Sequence, residues 1–263
     1  MNYSIKFIQS ELTKLSLKPG AIDGVFGNKT QAALDKVVGL KAKWKPERKM
    51  VGLIQIVAKN ENIEAGKIDG LWGPQTAYAY ESLVELRKNG VVPLFRRPGE
   101  NEGVNSNNWP SQKTDRELIA FYGAIGKNQT SIVVPYPHII AWDKTKSVTK
   151  ITCHKKVADS MLRVLTKVKN HYGIDEIHRL KLDVWGGCLN VRTMMGGTRN
   201  SMHSWGIAMD YDPENNQLKW GSDRATFALP DYNQWWEFWE EEGWVSLGRQ
   251  RNYDWMHVQA AKL

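Results

Sequence analysis

The chain of 263 residues has no uninterrupted apolar run of the about 20 residues that a membrane-spanning helix needs, so no stable membrane insertion is expected. A secretory signal is also missing: the start, MNYSIKFIQSELTKLSLKPG, alternates polar and apolar residues instead of setting a basic patch before an apolar block. The protein is therefore expected in the cytoplasm where it is made. Cysteine is scarce, with only Cys153 and Cys188 and no CxxC spacing. A disulfide-stapled scaffold is excluded, and in a reducing compartment the two are read as free buried thiols without a role. What is present is ordinary for a globular protein, 41% apolar and 24% charged residues, in a length that suits one large domain or two smaller ones. The formal charge of +8 favours an anionic partner, whether nucleic acid, an acidic membrane surface or a cell-wall polymer. No groove-reading motif and no concentrated basic block are found, so nucleic acid is not expected.

The N-terminal third is a repeat. Segments 5–34 and 51–80 align without a gap at an offset of 46, and Ile8, Gln9, Gly20, Ile22, Asp23, Gly24, Gly27, Thr30 and Ala33 recur as Ile54, Gln55, Gly66, Ile68, Asp69, Gly70, Gly73, Thr76 and Ala79. Each copy reads as helix, turn, helix: Asp-Gly suits a tight turn in which glycine takes positive φ, and the threonine lies near the start of the next helix. The basic run KAKWKPERK at 41–49 between the copies is read as solvated linker. The composition then shifts to Gly, Pro, Asn and charge, which places the first domain at 1–88, a linker at 89–112 and a second domain at 113–263.

In the second domain, Val157, Met161, Val164, Leu165 and Val168 keep helical spacing up to Gly173, and YNQWWEFWEEEGW reads as a helix closed by Gly243. Short segments in RLKLDVWGG, GIAMDYD, WVSLG and DWMHVQA read as strands. The expected fold class is α+β, a small all-α domain followed by one that mixes strands and helices.

The chemistry concentrates in SMHSWGIAMD, residues 201–210. His203 and Asp210 would lie on opposite faces of an extended chain, so a turn or bulge at Trp205-Gly206 is needed to bring them to one point. YDWMHVQ adds His257, with Asp254 three residues before it. Two imidazoles and a carboxylate suit a catalytic zinc that keeps one position for water, and a second carboxylate supplies a general base. His138, His154, His171 and His178 lack a paired carboxylate at ligand spacing and are read as core or surface residues. Glu237, Glu240, Glu241 and Glu242 are read as a solvated helix end, DYDPENN as a turn, and Trp235, Trp236 and Trp239 as core.

Two resemblances gather these observations. The duplicated I-D-G-x-[FW]-G-x-x-T, over residues 3–86, resembles the three-helix peptidoglycan-binding domain found at the ends of cell-wall hydrolases, with its repeated residues mostly architectural. Over residues 115–260, S-x-H-x-x-G-x-A-x-D and [DE]-x-x-H resemble the signatures of the zinc peptidases that include the VanX and VanY D,D-peptidases and phage L-alanyl-D-glutamate endopeptidases, of hedgehog-like fold. The resemblance implies zinc held by His203, Asp210 and His257, and Asp254 as base and proton shuttle, with Asp where the dipeptidases have Glu. It further implies an upstream arginine that stabilises the oxyanion, Arg192 in GGCLNVRTMMGG or its rival Arg199, and Ser201 contacting substrate or orienting the site. A wall-binding module joined to such a peptidase resembles a phage endolysin: a monomer that waits in the host cytoplasm and cuts the L-Ala-D-Glu bond of the peptidoglycan stem once the membrane is permeabilised. A D,D-carboxypeptidase or D,D-endopeptidase and a non-catalytic wall-binding protein are the alternatives.

Overall fold

A computed structural model describes residues 3–92, 105–194 and 199–263. The chain divides into two compact units, Met1–Leu94 and Phe95–Leu263. No helix among the described residues is long and apolar enough to cross a membrane.

The first unit is helical: α1 (Ile5–Lys14), α2 (Asn28–Leu34), α3 (Pro46–Asn60) and α4 (Pro74–Asn89). Pro46 and Pro74 open their helices, where a missing N–H leaves no bond unmade. Ile8 and Leu12 of α1 and Leu53, Ile54 and Ala58 of α3 are fully buried. The repeated polar residues build the same network twice. Gln9 Nε2 donates to Asp23 Oδ1 (2.8 Å), Val25 O (3.0 Å) and Thr30 Oγ1 (3.4 Å), while its Oε1 accepts from Gly24 N (2.9 Å). Gln55 repeats this with Asp69 Oδ1 (3.1 Å), Leu71 O (3.2 Å), Thr76 Oγ1 (3.1 Å) and Gly70 N (2.9 Å). Gly24 and Gly70 sit at φ 86° and 68°, as an Asp-Gly turn requires. The run at 41–49 is only in part solvated linker: Lys41, Lys43 and Lys45 are exposed, but Trp44 is buried, with the Arg48 guanidinium 4.8 Å from its ring centroid, and α3 starts at Pro46. An indole in the basic run is enough apolar surface to pull it onto the helices.

The second unit carries α5 (Asp115–Tyr122), β1 (Gln129–Ile140), β2 (Asp143–His154), α6 (Lys155–Arg179), β3 (Val184–Gly187), β4 (Ala208–Tyr211), α7 (Asn233–Glu241), β5 (Val245–Ser246), α8 (Leu247–Arg251) and β6 (His257–Gln259). The strands form one mixed sheet in the order β2-β1-β3-β4-β6-β5, with β1 and β3 parallel and the other pairs antiparallel. This is the α+β mixture expected from the sequence. The five apolar positions expected on α6 are all fully buried, and the helix breaks at Gly173, whose φ of 71° leaves helical geometry. Trp235, Trp236 and Trp239 pack in the core beside Tyr211 and Phe227. Cys153 and Cys188 are free and buried.

Two further expectations need correction. The glutamates at the end of α7 are a solvated helix end only in part: Glu241 is exposed and Glu237 half-buried, but Glu240 is buried against Arg249 (3.0 Å) and Glu242, just past the helix, against Arg163 (2.7 Å), so the acidic run ties this end to α8 and α6. The linker expected at 89–112 is also shorter. Residues 105–112 belong to the second unit, because Trp109 is in its core and donates from Nε1 to Glu242 O (3.0 Å), and Gln112 N donates to Lys262 O (2.8 Å). A tryptophan and a backbone pairing with the chain end hold a segment that composition alone reads as loop. Residues 93–104 lie outside the described residues.

Candidate metal centre

The local backbone explains why seven residues separate two side chains that meet. Ser201 caps a single 3-10 turn, Met202–Trp205, its Oγ accepting from His203 N (3.4 Å). Gly206 then takes φ 68°, ψ 36°, a left-handed step that suits glycine, and reverses the chain into β4. The bend expected at Trp205-Gly206 is therefore present. Along β4, Asp210 pairs with His257 of β6 on one side and with Gly187 of β3 on the other. A Cβ on Gly186 would meet Asp210 Cβ at 2.9 Å, so glycine there lets β3 close on the strand that carries the aspartate.

His203, Asp210 and His257 converge, with one candidate ligand atom from each lying within 4.8 Å of the others. Asp210 Oδ1 is 3.0 Å from His257 Nδ1 and 3.3 Å from His203 Nε2, and these two nitrogens are 3.3 Å apart. The outward nitrogens have partners that can only accept: His203 Nδ1 donates to Cys188 O (2.7 Å) and His257 Nε2 to Gln259 Oε1 (3.1 Å). Each ring thus keeps its other nitrogen for the shared point. Burial alone would raise the Asp210 carboxyl, but His203 and His257 hold it well below the carboxylate range, and Asp210 in turn raises His257 against the effect of burial.

Asp254 lies beside this cluster. It is buried, its Oδ1 has no hydrogen-bond partner among the described residues, and its backbone is held at φ 57° by bonds from its N to Leu218 O (3.1 Å) and from His257 N to its O (3.0 Å). Such a conformation costs about 1–3 kcal/mol and persists where the surroundings impose it. Burial pushes the carboxyl up to about 6; Asp210 adds to the rise, and His257, His203 and Arg192 oppose it. A carboxyl with that proton affinity takes and returns protons near neutral pH.

Arg192 is exposed and fixed at its backbone, where its N bonds Ser204 Oγ (3.1 Å) and its O accepts from Ser201 N (3.0 Å), so the turn carrying His203 also anchors the arginine. Its charge reaches Asp254. Arg199 instead donates from Nη1 to Lys113 O (3.1 Å). Ser201 is buried and orients the His203 turn. Met195–Thr198, which end the arginine-bearing stretch, lie outside the described residues. The four remaining histidines stay apart from the cluster: His138 and His154 are buried and bonded to backbone, His171 packs on Tyr172 and Phe238, and the exposed His178 does find a carboxylate in Asp183 (3.0 Å) but no third group. Of the DYDPENN stretch, Asp210 and Tyr211 belong to β4, and the turn follows them, with Asn215 donating to both Asp212 oxygens.

Sequence reasoning missed Gln259 and the Cys188 carbonyl. The former had a signal, since residues two apart on a strand share a face and Gln259 follows His257 by two. The latter had none. No known family model, curated protein or solved structure matches the chain, so its function is read from the site itself.

Proposed function

We propose that the protein is a zinc-dependent peptidoglycan endopeptidase of the endolysin type, with a repeat-built wall-binding unit ahead of a hedgehog-like peptidase unit. The observation that carries the reading is the meeting of His203, Asp210 and His257 beside a buried carboxyl, Asp254, whose Oδ1 has no partner among the described residues. Two imidazole nitrogens and one carboxylate oxygen, each ring fixed by an acceptor on its far side, are a donor set that fits zinc. Zinc held by these three residues would supply acidification of a water toward neutral pH and polarisation of the scissile carbonyl. Asp254 takes the proton of the attacking water and returns it to the leaving amine. Arg192, on the rim, donates charge-assisted hydrogen bonds to the oxyanion of the tetrahedral intermediate. Its reach to Asp254 supports it over Arg199. The formal charge of +8 suits an anionic wall polymer, and the resemblance to the phage endopeptidases supports the bond between L-alanine and D-glutamate as the one cut. The enzyme acts as a monomer on the wall after release from the host cytoplasm.

The test is digestion of purified peptidoglycan by the wild type and by Asp254→Ala, with mass spectrometry of the released termini. New N-terminal D-glutamate from the wild type alone is expected. New termini at the D-alanine cross-link would move the activity to D,D-peptidase, and no release in the presence of zinc would leave a wall-binding protein.

A further inference from the structure

The two histidines of the cluster are oriented by different means. His203 is held by a main-chain carbonyl, that of Cys188, which no side-chain substitution removes. His257 is held by a side chain, Gln259, which is 1% exposed. The amide of Gln259 has only one possible orientation. Its Nε2 faces Ala261 O (2.9 Å), a carbonyl that can only accept, and its second hydrogen goes to Gln112 Oε1 (3.0 Å). Turning the amide over would set its oxygen against Ala261 O. Gln259 Oε1 is therefore left facing His257 Nε2 at 3.1 Å and demands a proton there. A ring carrying one proton then holds it on Nε2, and the Nδ1 lone pair is aimed at the point shared with Asp210 and His203. Gln112 belongs to the segment before α5, where its own backbone N is pinned to Lys262 O, so it is a fixed support for the Gln259 amide.

We infer that Gln259, locked by Gln112 and the Ala261 carbonyl, is a positioning residue that selects Nδ1 of His257 as the ligating nitrogen and thereby sets the metal affinity of the site. The inference rests on the metal-centre reading above. Substituting such an outer partner of a ligating histidine weakens metal binding roughly 10- to 100-fold.

The experiment compares wild type, Gln259→Leu, Gln259→Glu and Gln112→Ala as full chains. Zinc dissociation constants come from competition with a chromophoric chelator, the protonated nitrogen of His257 from long-range 1H–15N spectra, and folding from circular dichroism. Gln259→Leu is expected to weaken zinc binding within that range and to lose the strict Nε2–H form. Gln259→Glu keeps an acceptor for Nε2 but sets its second oxygen against Ala261 O and Gln112 Oε1, so it is expected to keep the Nε2–H form while losing part of the affinity, and Gln112→Ala to show a smaller loss than Gln259→Leu. A folded Gln259→Leu with wild-type affinity and the proton still on Nε2 would overturn the inference. Should that variant not fold, Gln112→Ala decides on the same two readouts. If the wild type itself binds no zinc, the metal-centre reading falls. Spectra of the metal-free protein in mildly alkaline buffer then decide the positioning role alone: Nε2–H in wild type and lost in Gln259→Leu supports it, and Nε2–H in both overturns it.

Discussion

The two units contain buried polar clusters of opposite character. In the helical unit, Gln9 and Gln55 each bind an aspartate, a glycine N–H, a carbonyl and a threonine, so the donors and the acceptor of each amide are used inside the repeat. In the mixed unit, the cluster of His203, Asp210 and His257 turns its nitrogens and its carboxylate toward one another, and Asp254 Oδ1 beside it is buried with no partner. The first arrangement is complete in itself. The second leaves one buried atom, Asp254 Oδ1, unbonded among the described residues, at a cost of about 1–3 kcal/mol. Polar residues that recur in a repeat are thus a guide to architecture, while ionisable residues that converge from separate elements of the fold are the ground for the proposed metal.

The largest effect that sharpens this contrast is expected at Asp210. Asp210→Ala leaves two histidines where a zinc site needs three ligands, so zinc uptake by equilibrium dialysis and release of wall fragments should both vanish. Undiminished zinc uptake would mean that the ion, if bound, sits elsewhere. Next comes Asp254→Asn. A general base contributes about 10²–10⁴-fold, and wall-fragment release should fall by that factor while zinc content stays at the wild-type level. Asparagine tolerates the left-handed backbone that Asp254 adopts, so the variant should melt no lower than the wild type. A clear loss of stability would make Asp254 an architectural residue like Gln9 and erase the distinction between the clusters.

How much of this was legible in the sequence depends on the kind of signal. The repeat and its Asp-Gly turns were, because two copies of one pattern separate positions from noise. The convergence of His203, Asp210 and His257 was too, through the two motifs that carry the family resemblance, with Gly206 permitting the bend between the first two. The β1–β2 hairpin was not. Pro135 and Pro137 interrupt β1 and coincide with a shift in its register between Val133 and His138, which breaks the alternation by which a strand is recognised. The pairs Glu240–Arg249 and Glu242–Arg163 were illegible for another reason, because their arginines lie on different elements from the glutamates they neutralise. Gln112 was hidden by its polar, proline-containing surroundings, although Trp109 nearby marked the segment as one with apolar surface to bury.

A smaller effect separates satisfied from unsatisfied groups within the second unit. His138 is fully buried, with Nδ1 donating to Tyr136 O (3.0 Å) and Nε2 accepting from Tyr211 Oη (3.1 Å). Burial lowers its pKa to about 4, partly opposed by the bond to Tyr136. The unfolded chain takes up this proton as pH falls through about 6.5, and the folded protein does so only near its lower value. The stabilisation is therefore complete above pH 6.5 and is lost as pH falls toward 4, a change of about 3 kcal/mol. His138→Gln, which keeps one donor and one acceptor but does not titrate, should remove that share of the pH dependence in denaturant unfolding. An unchanged slope would show that His138 is protonated in the folded state.

The smallest effect tests whether the two copies of the repeat are equivalent. Gln9→Leu and Gln55→Leu each remove the acceptor of a glycine N–H, at about 1–3 kcal/mol where that group is left buried and unbonded, while the aspartate and the threonine keep other partners. The copies differ in where that N–H lies: Gly70 is buried, whereas Gly24 is half-buried and regains water more readily. Denaturant unfolding of the full chain should accordingly show a larger loss for Gln55→Leu than for Gln9→Leu. Both variants should bind zinc and cleave a soluble stem peptide as the wild type does, because the network closes within the helical unit. A drop in zinc affinity in either would tie the two clusters together and remove the ground for treating one as architecture and the other as chemistry.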